Sequence, residues 1–559
     1  MVVCRRRPAL VANGGMMRWA SVALALAALN ATLTFGNIWP TLGVRLTTDL
    51  SAELAVLVLM LAIVRRWIGP VSTAALRTLA VLWVILIIGR YADVTVRSLY
   101  GREINLYWDL RFAPDVGAMF AFVAKRWHAA LFALGLLSVP VLLYGMARWA
   151  LGRVNEAADA PRLRAVLGST AAVVLLMWIA PMLGGHVPAL IRFAEPAAPA
   201  YARALADLAY EMTGAGVSAL GPPPSVHSNL SRVRGADVFL IFIESYGVVS
   251  WDRPELAGPL AASRTRLETD VRETGRTVLS ARVESTTFGG ESWLAHVSLL
   301  SGTEVRDHRT NLRLMAQERD TLVKVFGRHG YRTVAVMPGL IRSWPQGAFY
   351  GFEDIYNLAR LDYRGPPFGW WDINDQFALA RIDALEVAPP SRRPLFVFFP
   401  TISTHAPFTP APPYQKDWVR VLTKNPYDTA DLDRAWSEQP DWTNLGPSYV
   451  QSLIYTYETF GGYLRLRADR DLVMILIGDH QPPALVSGAD ASWDVPVHVI
   501  AGARHALLDR LRRHGFHEGL APPHPTTGGM DALLPILLDA FGDAKEQAVL
   551  SGRARPIQQ

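Results

Sequence analysis

Cysteine is nearly absent: Cys4 is the single cysteine in 559 residues. No intramolecular disulfide can form, and no cluster of thiolates can hold a metal. The fold must be held by packing and hydrogen bonds, and any metal must be bound through oxygen and nitrogen. Charge is also scarce, at 19% Asp, Glu, Lys and Arg against 51% hydrophobic residues. The formal net charge is +6, but much of the arginine excess lies beside apolar runs. That distribution favours membrane-topology signals over nucleic-acid binding. There is no zinc-finger spacing and no aromatic-plus-basic repeat, so no nucleic-acid partner is expected.

The apolar residues crowd into the first 193 positions. Trp19–Pro40 carries one charge-free stretch long enough to span a bilayer. Thr47–Val64 follows, with Asp49 and Glu53 near its start. Thr78–Gly89 is short, but Arg77 and Arg90 can snorkel and extend it. Trp127–Ala147 has no Asp, Glu, Lys or Arg, and Ala165–Ile191 is long enough to tilt. With these five spans, Arg5–Arg7, then Arg65, Arg66 and Arg77, then Arg148, Arg153, Arg162 and Arg164 fall on one side. By the positive-inside rule that side is cytoplasmic, and everything after Arg192 lies outside the membrane. The soluble half is thus expected on the outer side of the cytoplasmic membrane. The basic residues of loop Tyr91–Arg126 count against its outside placement. The aromatics of that loop, Tyr107 and Trp108, read first as an interfacial belt and second as an aid to positioning a lipid headgroup.

Four regions are expected: a transmembrane domain at 1–193, a juxtamembrane helix and linker at 194–234, a catalytic domain at 235–550 and a disordered tail at 551–559. Glu195–Met212 is Ala-rich and predicts a helix, and Gly221–Pro224 a stiff break. From Gly235 onward strand and helix patterns alternate. Strands are predicted at Val238–Ile243, Thr333–Met337, Leu395–Phe399, Val473–Ile477 and Val495–Ile500. Helices are predicted at Ser292–Leu300 and Thr321–His329, and Ala411–Tyr449 reads as an excursion. The fold class is therefore a membrane domain of about five transmembrane helices followed by an α/β domain, its mostly parallel sheet covered on both faces.

The chemistry gathers at strand ends. Leu472–Gln481 reads LVMILIGDHQ, an apolar run closed by Gly478 and followed at once by Asp479 and His480. The carboxyl edge of an open α/β sheet is where ligands bind, and Asp with His is a donor pair for a divalent ion of the manganese or zinc kind. Ala236–Ile243 ends likewise in Glu244-Ser245. Either acid alone could simply cap the next helix; together they suggest one metal site. Thr286–Gly302 reads TTFGGESWLAHVSLLSG, which puts Ser292 at or near a helix N-terminus. Free N–H groups there favour a phosphate or a developing alkoxide, and a metal on Oγ would make Ser292 a nucleophile. The plainer alternative for Ser292 is a helix cap. His296 lies one turn on and shares its face, as a neighbour of the site or a substrate contact. His405, in Pro400–Pro407 (PTISTHAP), follows another strand and can donate to a phosphate oxygen or protonate a leaving group. His498, on VPVHVI, reads as a satisfied core histidine.

The ordered set IES at Ile243–Ser245, GGES at Gly289–Ser292, STHAP at Ser403–Pro407 and GDH at Gly478–His480 resembles the alkaline-phosphatase/sulfatase superfamily. It is most similar to the lipoteichoic-acid-synthase and phosphoglycerol-transferase branch, in which five membrane helices precede an extracytoplasmic sulfatase-like domain. The resemblance implies one divalent ion, manganese first with magnesium or zinc as alternatives, bound by Glu244, Asp479 and His480. It makes Ser292 the nucleophile and a further ligand, with Thr286 or Thr287 as the weaker choice, and His405 a substrate-binding residue. In that branch a Trp closely followed by an Arg grips the phosphate. Here the stretch is Arg342-Ser343-Trp344-Pro345-Gln346: Trp344 fits, Gln346 stands near the Arg position, and Arg342 is the candidate substitute. Ser292–His296 lacks the Pro and Arg that formylglycine sulfatases require. The implied activity is transfer of a phosphoglycerol- or phosphoethanolamine-type headgroup from a membrane phospholipid to an envelope glycan or lipid acceptor, through a phospho-Ser or phospho-Thr enzyme. The alternatives are a phosphodiesterase or phosphatase of the same fold, and an inactive scaffold or sensor.

Overall fold

A computed structural model describes residues 9–37, 43–100, 103–107, 109–111, 117, 126–188, 190–213, 220–341, 344–369, 372–441, 443–488 and 491–542. The chain forms two compact units, one of Met1–Arg97 with Glu103–Val217, the other of Ser98–Arg102 with Ser218–Gln559. The tail expected at 551–559, as well as Trp108 and Arg342, lies outside the described residues.

The first unit is helical. Its helices are α1 (Ala9–Thr34), α2 (Ala52–Trp67), α3 (Thr73–Tyr100), α4 (Arg126–Ala157), α5 (Pro161–Ile179) and α6 (Ala197–Thr213). Among the described residues, three stretches are long and apolar enough to cross a membrane: Thr73–Arg97, Ala130–Ala157 and Pro161–Leu183. The side chains of α1 are described only from Arg18. In α2 the Ser51 Oγ accepts from Leu54 N at 3.2 Å and sets the start, leaving 16 residues, about 24 Å of helix against a hydrocarbon core of about 30 Å. The third predicted span was too short. A charge at Arg77 or Arg90 ends a hydropathy run but does not end a helix, and α3 continues through both. Arg97, one of the basic residues that counted against an outside loop, is neutralised locally by Asp93 at 3.0 Å, Glu103 at 3.1 Å and Glu195 at 3.1 Å. The Ala-rich helix α6 begins on an acid: Glu53 Oε1 accepts from Ala197 N at 2.5 Å and Ala198 N at 3.2 Å, a favourable charge at a helix N-terminus.

The second unit is built on an eight-stranded sheet. In chain order its strands are β1 (Asp237–Ile243), β2 (Arg276–Glu284), β3 (Arg332–Met337), β4 (Asp354–Asn357), β5 (Leu395–Pro400), β6 (Leu472–Gly478), β7 (Asp494–Gly502) and β8 (His517–Glu518). Across the sheet they lie in the order β8-β2-β7-β6-β1-β5-β3-β4. From β6 to β4 every pair is parallel, while β6–β7, β7–β2 and β2–β8 are antiparallel. The sheet is thus mixed, with four parallel pairs forming its larger block and three antiparallel pairs the smaller. Three strands were not expected: β2, β4 and β8. In β2, RTVLSARVE, charged residues hide the strand: Arg276 and Arg282 are buried but occupied, Arg282 on Asp252 at 2.6 Å and on the Pro522 carbonyl at 3.0 Å.

The central strands show no apolar alternation because both faces are covered. From β1, Val238, Leu240 and Phe242 join one core with α8 (Ser292–Ser301), α9 (Leu322–Arg328) and α12 (Leu533–Phe541). Phe239, Ile241 and Ile243 join the other with α7 (Pro254–Glu273), α10 (Asp375–Ile382) and α11 (Gly446–Leu466).

Candidate active site and metal centre

Register brings the chemistry together. Ile243 of β1 pairs with Gly478 of β6, so Glu244 and Asp479 leave the sheet side by side. On the other flank of β1, Phe242 pairs with Pro400 of β5, which delivers Thr401 to the same edge. Three adjacent parallel strands therefore end at one place. Gly478 has a reason the sequence did not suggest. It has no left-handed φ; a Cβ there would lie 1.8 Å from the Tyr246 carbonyl oxygen. It is glycine because the chain after β1 crosses directly over it.

Helix α8 supplies the hydroxyl. Glu291 precedes it in the left-handed region at φ 60°, and the loop before it leans on the β6 exit: Ser285 Oγ donates to the Asp479 carbonyl, and Gly289 N donates to the Gln481 carbonyl at 3.1 Å. Ser292, the first residue of the helix, thereby faces the two acids. Its Oγ donates to Glu244 Oε2 at 2.8 Å and lies 3.2 Å from His480 Nε2. His480 Nε2 is also 3.3 Å from Glu244 Oε1 and 3.7 Å from Asp479 Oδ1. The two threonines that rivalled Ser292 are engaged elsewhere: Thr286 accepts from Ser298 Oγ at 3.3 Å, and Thr287 donates to the Gly290 carbonyl at 2.6 Å.

The acids are held from behind. Asp479 Oδ1 accepts from Ser245 N at 2.8 Å and from His480 N at 2.7 Å. Ser245 is left-handed at φ 57°, and its Oγ donates to Glu244 Oε1 at 3.1 Å. Left-handed non-glycine residues at a cluster of functional groups are strain that the surroundings must overdetermine. His480 Nδ1 sits 2.7 Å from the Gln481 carbonyl; a carbonyl only accepts, so Nδ1 carries the proton and Nε2 faces the acids.

Glu244, Asp479 and His480 are all buried, and their donor atoms lie within 4.8 Å of one another. Burial works to raise the Glu244 carboxyl, but His480 and His405 outweigh it and hold it well below the usual range. Burial and the neighbouring Glu244 charge push Asp479 far up. Burial pulls His480 down, yet Asp479 and Glu244 win and push it up to about 9. Two buried carboxylates this close cannot both ionise without a cation. Asp479 Oδ2 is buried with no hydrogen-bond partner. An orphaned carboxylate oxygen, a second carboxylate and an oriented imidazole fit a divalent ion.

The other sequence candidates fall in different places. His296 is buried against the rings of Phe242 at 4.4 Å and Phe398 at 5.5 Å, its Nε2 has no hydrogen-bond partner, and burial drives it down to about 3. His405 sits on the loop after β5, with Nδ1 2.7 Å from the Ala406 carbonyl. Trp344 opens a short 3-10 turn and packs on Tyr350 at 5.4 Å and over Gly347; no contact ties it to Ser292. His498 is a satisfied core residue, 3.0 Å from Tyr246 Oη and 2.7 Å from Ser280 Oγ. The sequence reading missed the residues that hold Glu244 by its main chain. Thr401 Oγ1 accepts from Glu244 N at 3.1 Å, and Thr404 Oγ1 donates to the Glu244 carbonyl at 2.5 Å. Their signal was available: both are small polar residues in the same post-strand loop as His405.

Residues 295–515 match the family model described as Sulfatase. The matched Sulfatase stretch takes in His296, Trp344, His405, Asp479 and His480 and begins just after Ser292. Among solved structures, the chain is similar to lipooligosaccharide phosphoethanolamine transferase A (EptA) of Neisseria meningitidis, at 14% identity and TM-score 0.45 over 96% of this chain and 99% of that one. It is similar to the lipoteichoic acid synthase LtaP of Listeria monocytogenes, at 13% and 0.40 over 57% and 75%. It is also similar to the Streptococcus pyogenes phosphoglycerol transferase GacH, at 13% and 0.31 over 48% and 69%. No curated protein matches the chain.

Proposed function

We propose that the chain is a membrane-anchored, metal-dependent phosphotransferase of the bacterial inner membrane, with its 235–550 domain in the periplasm. It moves a phosphoglycerol- or phosphoethanolamine-type headgroup from a membrane phospholipid to an envelope glycan or lipid. The observation that carries this reading is the Ser292 hydroxyl, 2.8 Å from Glu244 and 3.2 Å from His480 at the N-terminus of a helix.

Glu244, Asp479 and His480 would hold one divalent ion, manganese first and magnesium or zinc otherwise, with Ser292 Oγ as a further donor. Such an ion supplies the positive charge that lowers the Ser292 pKa and offsets the charge on the phosphate. Ser292 Oγ forms a bond to phosphorus while the bond from phosphorus to the lipid alcohol oxygen breaks. The Oγ proton leaves to solvent water, and the departing alkoxide takes a proton from His405. In the second half the acceptor hydroxyl attacks the phosphorus of phospho-Ser292 and the bond from phosphorus to Oγ breaks; the acceptor's proton returns to His405, and Ser292 Oγ is reprotonated from solvent. The N–H groups opening α8 stabilise the phosphate oxygens, and His296 and Trp344 flank the headgroup, with Arg342 as the candidate phosphate grip. Two half-reactions give ping-pong kinetics.

Mass spectrometry of the full-length protein after incubation with total membrane lipid tests this. A phospho-headgroup adduct on Ser292, discharged by an acceptor, is expected. Label that passes to an acceptor while Ser292 stays unmodified overturns the covalent route. Label released only as free headgroup phosphate makes the protein a hydrolase.

A further inference from the structure

The segment Asn374-Asp375-Gln376 puts three polar side chains inside the domain at the start of α10, with exposures of 1%, 2% and 0%. Burying a carboxylate is costly unless its oxygens are hydrogen-bonded, and those of Asp375 are fully used. Oδ1 accepts from Ile402 N at 2.9 Å and Oδ2 from Ser403 N at 2.8 Å, while Asp375 N donates to Ser403 Oγ at 3.1 Å. One carboxylate thus grips two consecutive peptide groups of the loop after β5. Thr401 and Thr404 flank that grip, and they are the residues that hold the main chain of Glu244. His405 follows immediately. Asn374 and Gln376 brace the same corner. Asn374 Oδ1 caps α10 through Phe377 N at 2.9 Å and accepts from Tyr455 Oη at 3.1 Å. Gln376 pairs with both main-chain groups of Gln415, at 2.6 and 3.0 Å.

We infer that Asp375 is a positioning residue for the candidate metal centre. It fixes the 401–405 loop, and through Thr401 and Thr404 it sets where Glu244 presents its carboxylate and where His405 stands. A caps-and-core role alone would need only Asn374; the bidentate hold on Ile402 and Ser403 is directed at the loop. Asp375→Asn would keep the shape but turn an N–H donor toward an N–H donor, so the loop is released on one side. The inference rests on reading Glu244, Asp479 and His480 as metal ligands.

The test is Mn²⁺ titration of the detergent-solubilised full chain by calorimetry. Asp375→Asn is expected to weaken Mn²⁺ binding by about 10- to 100-fold, the range for partners that orient a ligand. Thr401→Val is expected to weaken it as well. The double variant should lose far less than the product of the two, because both changes release the same loop. Mn²⁺ affinity within about threefold of wild type in D375N, or losses that multiply independently in the double variant, overturns the inference. Should D375N fail to fold, Asp375→Glu keeps both acceptor oxygens but displaces the Ile402 and Ser403 peptides by a methylene; an unchanged affinity there overturns it equally. Wild-type protein that binds no Mn²⁺, Mg²⁺ or Zn²⁺ overturns the site reading and this inference together, whereas wild-type binding with an indifferent D375N overturns the inference alone.

Discussion

Replacing Gly478 by alanine is the sharpest single perturbation of this site. The new methyl would sit 1.8 Å from the Tyr246 carbonyl oxygen and 3.0 Å from the Val495 Cβ. The first contact is backbone, so no rotamer can relieve it, and β1 must separate from β6 at its exit. Overpacking of this kind costs about 1–3 kcal/mol. Separation also stretches the 2.8 Å bond from Ser245 N to Asp479, a hydrogen bond contributing about 0.5–1.5 kcal/mol. Together the loss is on the order of 1.5–4.5 kcal/mol, and it falls at the ligand pair. Gly327→Ala is the matched control. Gly327 lies inside α9, is followed by Arg328, and a new Cβ there meets only Thr333 Cγ2 at 4.0 Å, so G327A should stabilise by roughly 0.5–1 kcal/mol. Thermal unfolding of the full chain in detergent, with and without Mn²⁺, measures both. The expected result is a G478A midpoint lower by several degrees with most of the Mn²⁺ stabilisation gone, and a G327A midpoint unchanged or higher with Mn²⁺ stabilisation intact. G478A protein that melts with wild type and binds Mn²⁺ as tightly would refute the close crossing of Tyr246 over β6.

Three further outcomes are expected. Ser292→Ala should abolish the phospho-adduct and transfer while leaving Mn²⁺ binding within about tenfold, and Ser292→Thr should retain the adduct; both are read by mass spectrometry. His498, held neutral by burial with its pKa depressed to about 3, contributes stability that is present above the unfolded value of about 6.5 and is lost as pH falls toward 3. From pH 6.5 to 4.5 that loss is about 2.3 kcal/mol, and His498→Gln should remove this slope from the pH dependence of unfolding. His296→Phe replaces a buried imidazole whose Nε2 is unpartnered by a ring of similar shape. Stability should hold or rise by about 1 kcal/mol while the KM for the lipid donor rises, as a headgroup contact requires; an unchanged KM would make His296 a packing residue.

How much of this was legible depends on where each side chain gets its role. Glu244, Asp479 and His480 were readable because each follows an unbroken apolar run, and such runs mean strands buried on both faces. Ser292 was readable from the Gly pair and the helical period behind it. The position of β2 was not, since its arginines look solvent-facing until their partners Asp252, Leu464 and Pro522 are known, and those lie far off in sequence. Without β2 and β8 the antiparallel half of the sheet disappears, and the rest reads as parallel. Asp375 was hidden for the same reason: its meaning lies in Ile402 and Ser403. The extent of α3 was hidden differently, because hydropathy registers charge and a helix does not.

The antiparallel half has a consequence for the site. β6 is the last strand of the parallel block, and its other neighbour, β7, runs the opposite way. The start of β7 therefore lies beside the end of β6. The Asp494 carbonyl there accepts from Val248 N at 3.2 Å and from Gln481 Nε2 at 2.9 Å. Gln481 Oε1 in turn accepts from Val249 N at 3.3 Å. The segments leaving β1 and β6 are thus cross-braced by a strand arriving from the opposite direction, while Thr401 and Thr404 brace β1 from the β5 side. Glu244 and Asp479 stand between two braces. With both carboxylates buried and one oxygen unpartnered, their mutual repulsion cannot be relieved by moving apart. It is relieved by protonation or by a cation, and a site built so stiffly favours the cation.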